Sequence, residues 1–429
     1  PEKPEMRAVS RVSYTIRPRA WNCCPLWVQE WILLFREFSH EALGMSVYEL
    51  SIYRHDIRPG RPIMGASLVN KTLIRFAALL AFACCQPAFS LDEEALAELL
   101  ENERVEMRLP GVRAAVRFAD GRIVRAAVGL ADKKAGIPLD SEVGMPGGST
   151  GKSFVAALVM LLVEDGVLSL DDPAKKWLGE ENWFKKVPNS NDILVRHLLS
   201  HSAGLGDYPG KFGFTMRMVG RLIRHKSAYF GPEELIKLAG KKPLFPAGEG
   251  YAYTDAGYLV LGRVIEAATG TPYYDLLRER ILIPQQLSQT AAQDQSALPN
   301  ITPGYQGGAS NLRKDGRMKL DPRSEWTGGG LVTNPTMLVQ FFAALAEGRV
   351  VKPESLTLML ESGWHDPEGP GYHYGFGLFV QDDGSWFGHG GKWVGYRTHV
   401  THFVPRGITV AVQVNQDDRT DMIGLVRRV

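Results

Sequence analysis

Gly147-Gly148-Ser149-Thr150-Gly151-Lys152-Ser153 is the stretch whose residue types could do chemistry. A ten-residue apolar run, Phe154 to Val163, follows at once and ends at Glu164-Asp165. That run is too short to cross a bilayer, so it reads as a buried helix starting near Ser149 and stopping near Gly166. Helical spacing puts residues three apart on one face, so Ser149 Oγ and Lys152 Nζ can touch. A serine hydroxyl attacks only with a base beside it, and a desolvated lysine can lose its proton and serve. The helix N-terminus adds backbone N–H groups that suit a developing oxyanion.

Two other readings compete for these residues. A phosphate-binding loop requires Gly where Pro146 stands, and it follows a buried strand. The preceding Asp140 to Met145 is polar and broken by Gly144. In the plain structural alternative Ser149 is only a helix cap and Lys152 a solvated charge. The four-residue pattern does not decide between them alone.

The flanking elements sharpen the choice. Residues 92–108 read as a helix, and Asp120-Gly121 between the apolar runs 111–118 and 123–128 reads as a hairpin. Residues 150–345 are mostly helical in pattern. Ile193 to Gly204 reads as a short helix closed by Gly204. Within it His197 and His201 sit i,i+4 with no third metal ligand, so capping and packing roles are expected. Pro232 opens another helix, Leu259 to Ala268 is an apolar one, and Asn334-Pro335 caps Thr336 to Ala346. Tyr208 to Tyr229 and Leu298 to Glu325 read as pocket-shaping loops. Near the end the period returns to strands: Tyr374 to Val380, a short Trp386 to His389, Tyr396 to Val404 and Ile408 to Val414. A last helix covers 421–429. Strands at both ends with helices between imply one α/β domain, an antiparallel sheet flanked by helices and carrying a mainly helical inserted subdomain at about 150–345.

The chain has 429 residues and a net charge of +2, which gives no argument for nucleic acid. Residues 1–90 hold 11 Lys and Arg against 7 Asp and Glu, while the rest is slightly acidic. All four cysteines, Cys23, Cys24, Cys84 and Cys85, lie in that first part. The remainder therefore uses no disulfide and no thiol nucleophile. Residues 1–63 read as a non-native or disordered extension. Lys71 and Arg75, the apolar Phe76 to Cys85 and the small Ala88 and Ser90 have the layout of a signal peptide over 64–90. This places residues 91–429 in a periplasm or outside the cell, with no stable membrane span. Cys84 is a weak candidate for lipid attachment, since Ala81 is not the usual residue three positions earlier.

Four motifs occur in order: Ser149-Thr150-Gly151-Lys152, His197 to Leu205, Tyr253-Thr254-Asp255 and His389-Gly390-Gly391. Together they resemble the penicillin-recognising serine hydrolases, in the class C β-lactamase-like branch with its D,D-peptidases, D-aminopeptidases and family VIII carboxylesterases. The S-D-N and K-T-G motifs of the class A relatives are absent. The resemblance implies a β-lactamase/transpeptidase-like fold over residues 91–429. It implies an acylated Ser149, Lys152 as its proton acceptor, and Tyr253 as a relay to the leaving group. His389 would open the strand motif, Gly391 would let backbone approach substrate, and Ser149 and Lys392 would supply the oxyanion N–H groups. No metal and no cofactor are implied.

Two departures bear on substrate. Asp255 stands where Asn is usual and cannot donate a hydrogen bond; close to Lys152 it favours the charged amine, and it could hold a cationic substrate group. His389 in place of Lys removes a permanent cation. Small acyl esters are therefore expected ahead of D-amino-acid peptides or amides, and those ahead of β-lactams. A penicillin-binding sensor that acylates without turnover is the alternative from another class.

Overall fold

The computed structural model describes residues 91–225, 227–366, 369–418 and 420–429. The expected extension, the signal peptide and the four cysteines lie outside the described residues.

An eight-stranded antiparallel sheet is built from both ends of the chain. Its strands are β1 (Gly111–Arg117), β2 (Ile123–Asp132), β3 (Ile137–Pro138), β4 (Tyr372–Tyr374), β5 (Phe379–Gln381), β6 (Trp386–Trp393), β7 (Tyr396–Phe403) and β8 (Ile408–Val414). They lie in the order β3-β2-β1-β8-β7-β6-β5-β4. The closing pair is β1 with β8, in register Val112 opposite Val414 and Val116 opposite Val410. β1 and β2 form the hairpin expected at Asp120-Gly121, where Gly121 has φ +87°.

Side-chain alternation divides the core. Val112, Ala114, Val116, Val410, Val412 and Val414 face one side, with Leu96 and Leu100 from helix α1 (Glu93–Glu106) and with Leu425 from the helix Met422–Arg428. Ala115, Val400 and Ala411 face the other side, the larger cluster. There lies helix α2 (Gly151–Glu164), entered through a 3₁₀ turn at Gly148–Thr150. Helix α3 (Pro335–Ala346) packs against it, Phe341 stacking on Phe154 at 3.6 Å between ring centroids. Asn334 caps α3, its side chain accepting from the Met337 N–H.

Several boundaries differ from the sequence reading. The helix in 193–204 covers only Val195–Leu199, because His201 already has φ +56°. The apolar helix begins earlier, at Asp255, and ends at Thr269. Tyr374 to Val380 is not one strand but the turn between β4 and β5. Gly377 there has φ +71°, and a Cβ on Gly375 would lie 2.1 Å from the Met359 carbonyl. β6 runs eight residues, well past His389. The expected loop 208–229 contains a helix, Phe212–His225. Among the described residues no helix is long and apolar enough to cross a membrane.

Candidate active site

Ser149 is the only residue between Met145 and Met160 that is not buried. The turn that carries it is held between two backbones. On one side is β6: a Cβ on Gly148 would lie 2.5 Å from Lys392 N, and one on Gly391 would lie 1.9 Å from the Gly147 carbonyl. On the other is the loop Gly328-Gly329-Gly330. Gly329 has φ +141°, and a Cβ there would lie 2.4 Å from the Gly148 carbonyl. Both approaches require glycine. The close contact at Gly391 is thus with the Ser149 turn itself, and it brings the Lys392 N–H beside that turn.

Lys152 is fully buried one helical turn on. Its Nζ donates to Ser149 Oγ at 3.1 Å, to Asp255 Oδ1 at 2.5 Å and to the Gly328 carbonyl at 2.5 Å. Burial alone would lower the lysine pKa, but the Asp255 carboxylate outweighs it and raises it above the usual value. Lys152 therefore rests as an ammonium, the outcome expected of an Asp close by. Asp255 is the first residue of its helix, and its N–H is accepted by Asp207 Oδ1 at 3.1 Å. Burial, then the Asp255 charge, pushes the Asp207 carboxyl up to about 6.

Tyr253 presents its ring 5.0 Å from Lys152 Nζ, and its buried hydroxyl makes no well-formed hydrogen bond. Burial raises its pKa even though the ammonium pulls it down, so it stays a phenol. The His201 ring packs on Tyr253 at 4.1 Å, and His201 Nδ1 accepts from the Thr254 N–H. Burial first, then the Lys152 charge, holds His201 well below its usual pKa. His197 Nδ1 accepts from the Leu194 N–H. Both histidines thus cap and pack.

His389 is buried against Phe379 and Tyr374. Its Nδ1 lies 2.6 Å from the Gly390 carbonyl, which can only accept, so Nδ1 carries the proton. Nε2 then accepts from the Tyr374 hydroxyl at 2.9 Å. Burial and the Lys152 charge lower its pKa to about 3, so no cation stands at the start of the strand motif. Lys392 is exposed.

The structure brings Ser149, Lys152, Tyr253 and Asp255 into one cluster, with Gly391 and Lys392 on its rim and His389 behind Tyr374. Sequence reasoning missed Asp207, the Gly328 carbonyl, Tyr374 and the buried Glu325. Burial pushes Glu325 up to about 8, the nearby Lys152 ammonium offsetting only part, so it is protonated at neutral pH. Only the glycine run 328–330 gave a signal, as a site of close backbone approach.

Residues 96–428 match the family profile described as Beta-lactamase. Penicillin-binding protein 4* of Bacillus subtilis is 26% identical over 288 residues, 64% of this chain and 61% of that protein. Esterase EstB of Burkholderia gladioli is 35% identical over 193 residues, 43% of this chain and 48% of that protein. D-aminopeptidase of Brucella anthropi is 26% identical, covering 71% and 56%. The chain therefore spans about half to three fifths of the length of these curated relatives. Among solved structures, a D-stereospecific amidohydrolase from Streptomyces sp. superposes with a TM-score of 0.68 at 25% identity, covering 79% of this chain and 98% of that one. D-amino acid amidase from Ochrobactrum anthropi SV3 shares the fold, with a TM-score of 0.64 at 24% identity over 78% and 95%.

Proposed function

This chain belongs to the Beta-lactamase family, and on that premise we propose that it is an exported serine hydrolase of the class C type that cleaves small acyl esters through an acyl-enzyme on Ser149. The observation that carries the reading is the buried Lys152 ammonium between Ser149 Oγ and Asp255 Oδ1. In the proposed cycle Lys152 first passes one proton to Asp255 across the 2.5 Å contact, leaving a neutral pair. The neutral amine takes the proton of Ser149 as Oγ bonds to the acyl carbon. The N–H groups of Ser149 and Lys392 receive the oxyanion. The C–O bond to the leaving alcohol breaks, and the alcohol takes its proton by way of Tyr253. A water then repeats the sequence and frees the acid.

A base that spends most of its time charged suits a reactive acyl group, which favours esters over amides. Neutral His389 offers nothing to a β-lactam carboxylate. The esterase relative is consistent with this order. The basic, apolar and small-residue layout of residues 64–90 supports export. A second reading, a D-amino-acid amidase or peptidase, is favoured by Asp255, a partly exposed carboxylate beside Ser149 and Lys152 able to meet a substrate ammonium.

Turnover of a short-chain nitrophenyl ester, a D-alanine anilide and a chromogenic cephalosporin on one preparation tests the ranking. The ester is expected to be turned over fastest, by at least about 100-fold over the cephalosporin. All activity should fall by about 1,000-fold or more in Ser149→Ala with its melting temperature unchanged. Activity surviving in that variant would overturn the serine mechanism, and a faster anilide would move the assignment to the amidase reading. A long-lived adduct that never turns over would make the protein a sensor.

A further inference from the structure

We propose that His365, His373 and Asp382 bind one zinc-type divalent cation, at a site separate from the Ser149 centre. One ligand atom from each of the three lies within 4.8 Å of the others. They come from the segment after the helix Pro353–Glu361, from β4 and from the residue after β5.

The hydrogen bonds of His373 argue for a cation. This buried residue sets Nε2 2.7 Å from the Leu360 carbonyl and Nδ1 2.8 Å from Asp382 Oδ1. Both partners are acceptors. The carbonyl can take only the Nε2 proton, which leaves the Nδ1 lone pair facing a carboxylate. At 2.8 Å the two atoms share a hydrogen bond; a metal ion would take its place once they part. His365 separates these cases. Its ring lies on that of His373 with centroids 3.8 Å apart and planes at 36°. A second imidazole adds nothing to an imidazolium–carboxylate pair, but it is a third ligand for a metal.

The surroundings agree. A metal-binding histidine ordinarily donates its other N–H to a carbonyl or carboxylate, as His373 does to Leu360. His365 Nε2 lies 3.2 Å from the Glu361 carbonyl, so both rings sit at the C-terminal end of the helix, where the dipole favours positive charge. Zn–N and Zn–O bonds of about 2.0–2.2 Å put tetrahedral ligands about 3.4 Å apart. The His373–Asp382 pair opens to that spacing from 2.8 Å and His365 closes to it, by small shifts of His365 and Asp382, which are exposed, around the fixed His373. Three protein ligands leave one position for water. The bound ion would tie the segment after the helix to the β4–β5 hairpin. β4 ends in Tyr374, which donates to His389. No motif marks the three residues, because they carry no recognised ligand spacing and meet only through the hairpin.

The test uses the untagged full-length protein, stripped with chelator and titrated with Zn²⁺ by calorimetry, with Co²⁺ as a visible probe of tetrahedral coordination. One Zn²⁺ per chain with a micromolar dissociation constant is expected, with a rise of several degrees in melting temperature and tetrahedral Co²⁺ bands. His365→Ala and Asp382→Asn change exposed residues, so they should fold. Each should weaken Zn²⁺ at least tenfold and abolish the Co²⁺ bands, while ester turnover stays within twofold. No Zn²⁺ binding, or the same affinity in His365→Ala, would overturn the proposal and leave His373 and Asp382 as a bare ion pair. The titration reads the metal without reference to Ser149, so it stands whatever the substrate proves to be.

Discussion

The two faces of the central sheet follow different rules. The face covered by α1 is a mostly apolar layer: Leu96, Leu100, Val112, Ala114 and Leu425 meet there, and the buried carboxylate Glu103 is paired with Arg428 at its edge. The face covered by α2 breaks the usual burial preferences. It buries the Lys152 ammonium, a protonated Glu325 and the neutral histidines His201 and His389. A buried ion pair is a poor source of stability, since desolvation offsets much of the attraction. Both faces hold the fold, the second with the larger apolar cluster, but only the second also spends stability to place reactive groups.

Substitutions on each face can break or sharpen this contrast. The largest effect is expected from Lys152→Met, which should lower ester turnover by about 1,000-fold or more. The single variant leaves the Asp255 carboxylate without its partner. The double variant Lys152→Met/Asp255→Leu removes both charges and should match or exceed the wild-type melting temperature while remaining inactive. A double variant that unfolds would mean that the ion pair is structural. Next in size is Leu100→Ala on the other face. It empties a fully buried position and should cost about 2–5 kcal/mol in denaturant titrations, with kcat/KM unchanged within twofold. A large loss of activity there would show that the two faces are coupled.

The gentlest effect, spread over several pH units, is in the pH dependence. His389 titrates near 3 in the fold against its ordinary value near 6.5. The unfolded chain therefore binds more protons between those values, and stability falls as pH drops through that window. His389→Gln should flatten the decline, by up to about 1.4 kcal/mol per pH unit. An unchanged slope would place the titration elsewhere.

The sequence was most readable where a structural cause is local. The Ser149–Lys152 spacing, the Asp120-Gly121 hairpin and the Asn334 cap all act over a few residues, and all stand in the fold. The strands near the C-terminus were found by period but misjudged in extent. Gly375 and Gly377 turn the chain where an apolar run suggested continuity. The helix Phe212–His225 passed as a loop. Its apolar residues share one broad arc opposite Arg217, Arg221 and Arg224, with Phe214, Met218 and Leu222 packing inward while Phe212, Met216 and Ile223 on the same arc are exposed. The partners that decide the state of Lys152 arrive from far away, Asp255 from 103 residues on and the Gly328 carbonyl from 176. Asp207 had no motif to mark it.

The pairing of β1 with β8 has a consequence for biogenesis. Arg113, fully buried in β1, donates to Gln413 Oε1 at 2.7 Å, across 300 residues of chain. On a ribosome β1 emerges early and waits with its central edge open until the last strands are made. The Ser149 turn likewise waits for Lys392. The proposed catalytic centre therefore cannot assemble from the N-terminal end forward, and any chain cut short of β6 lacks the Lys392 N–H proposed as an oxyanion donor. Such long-range closure makes folding slow and the nascent β1–β2 hairpin prone to wrong pairing. On the proposed reading hydrolysis thus waits until β6 has been made, a timing set by strand order alone.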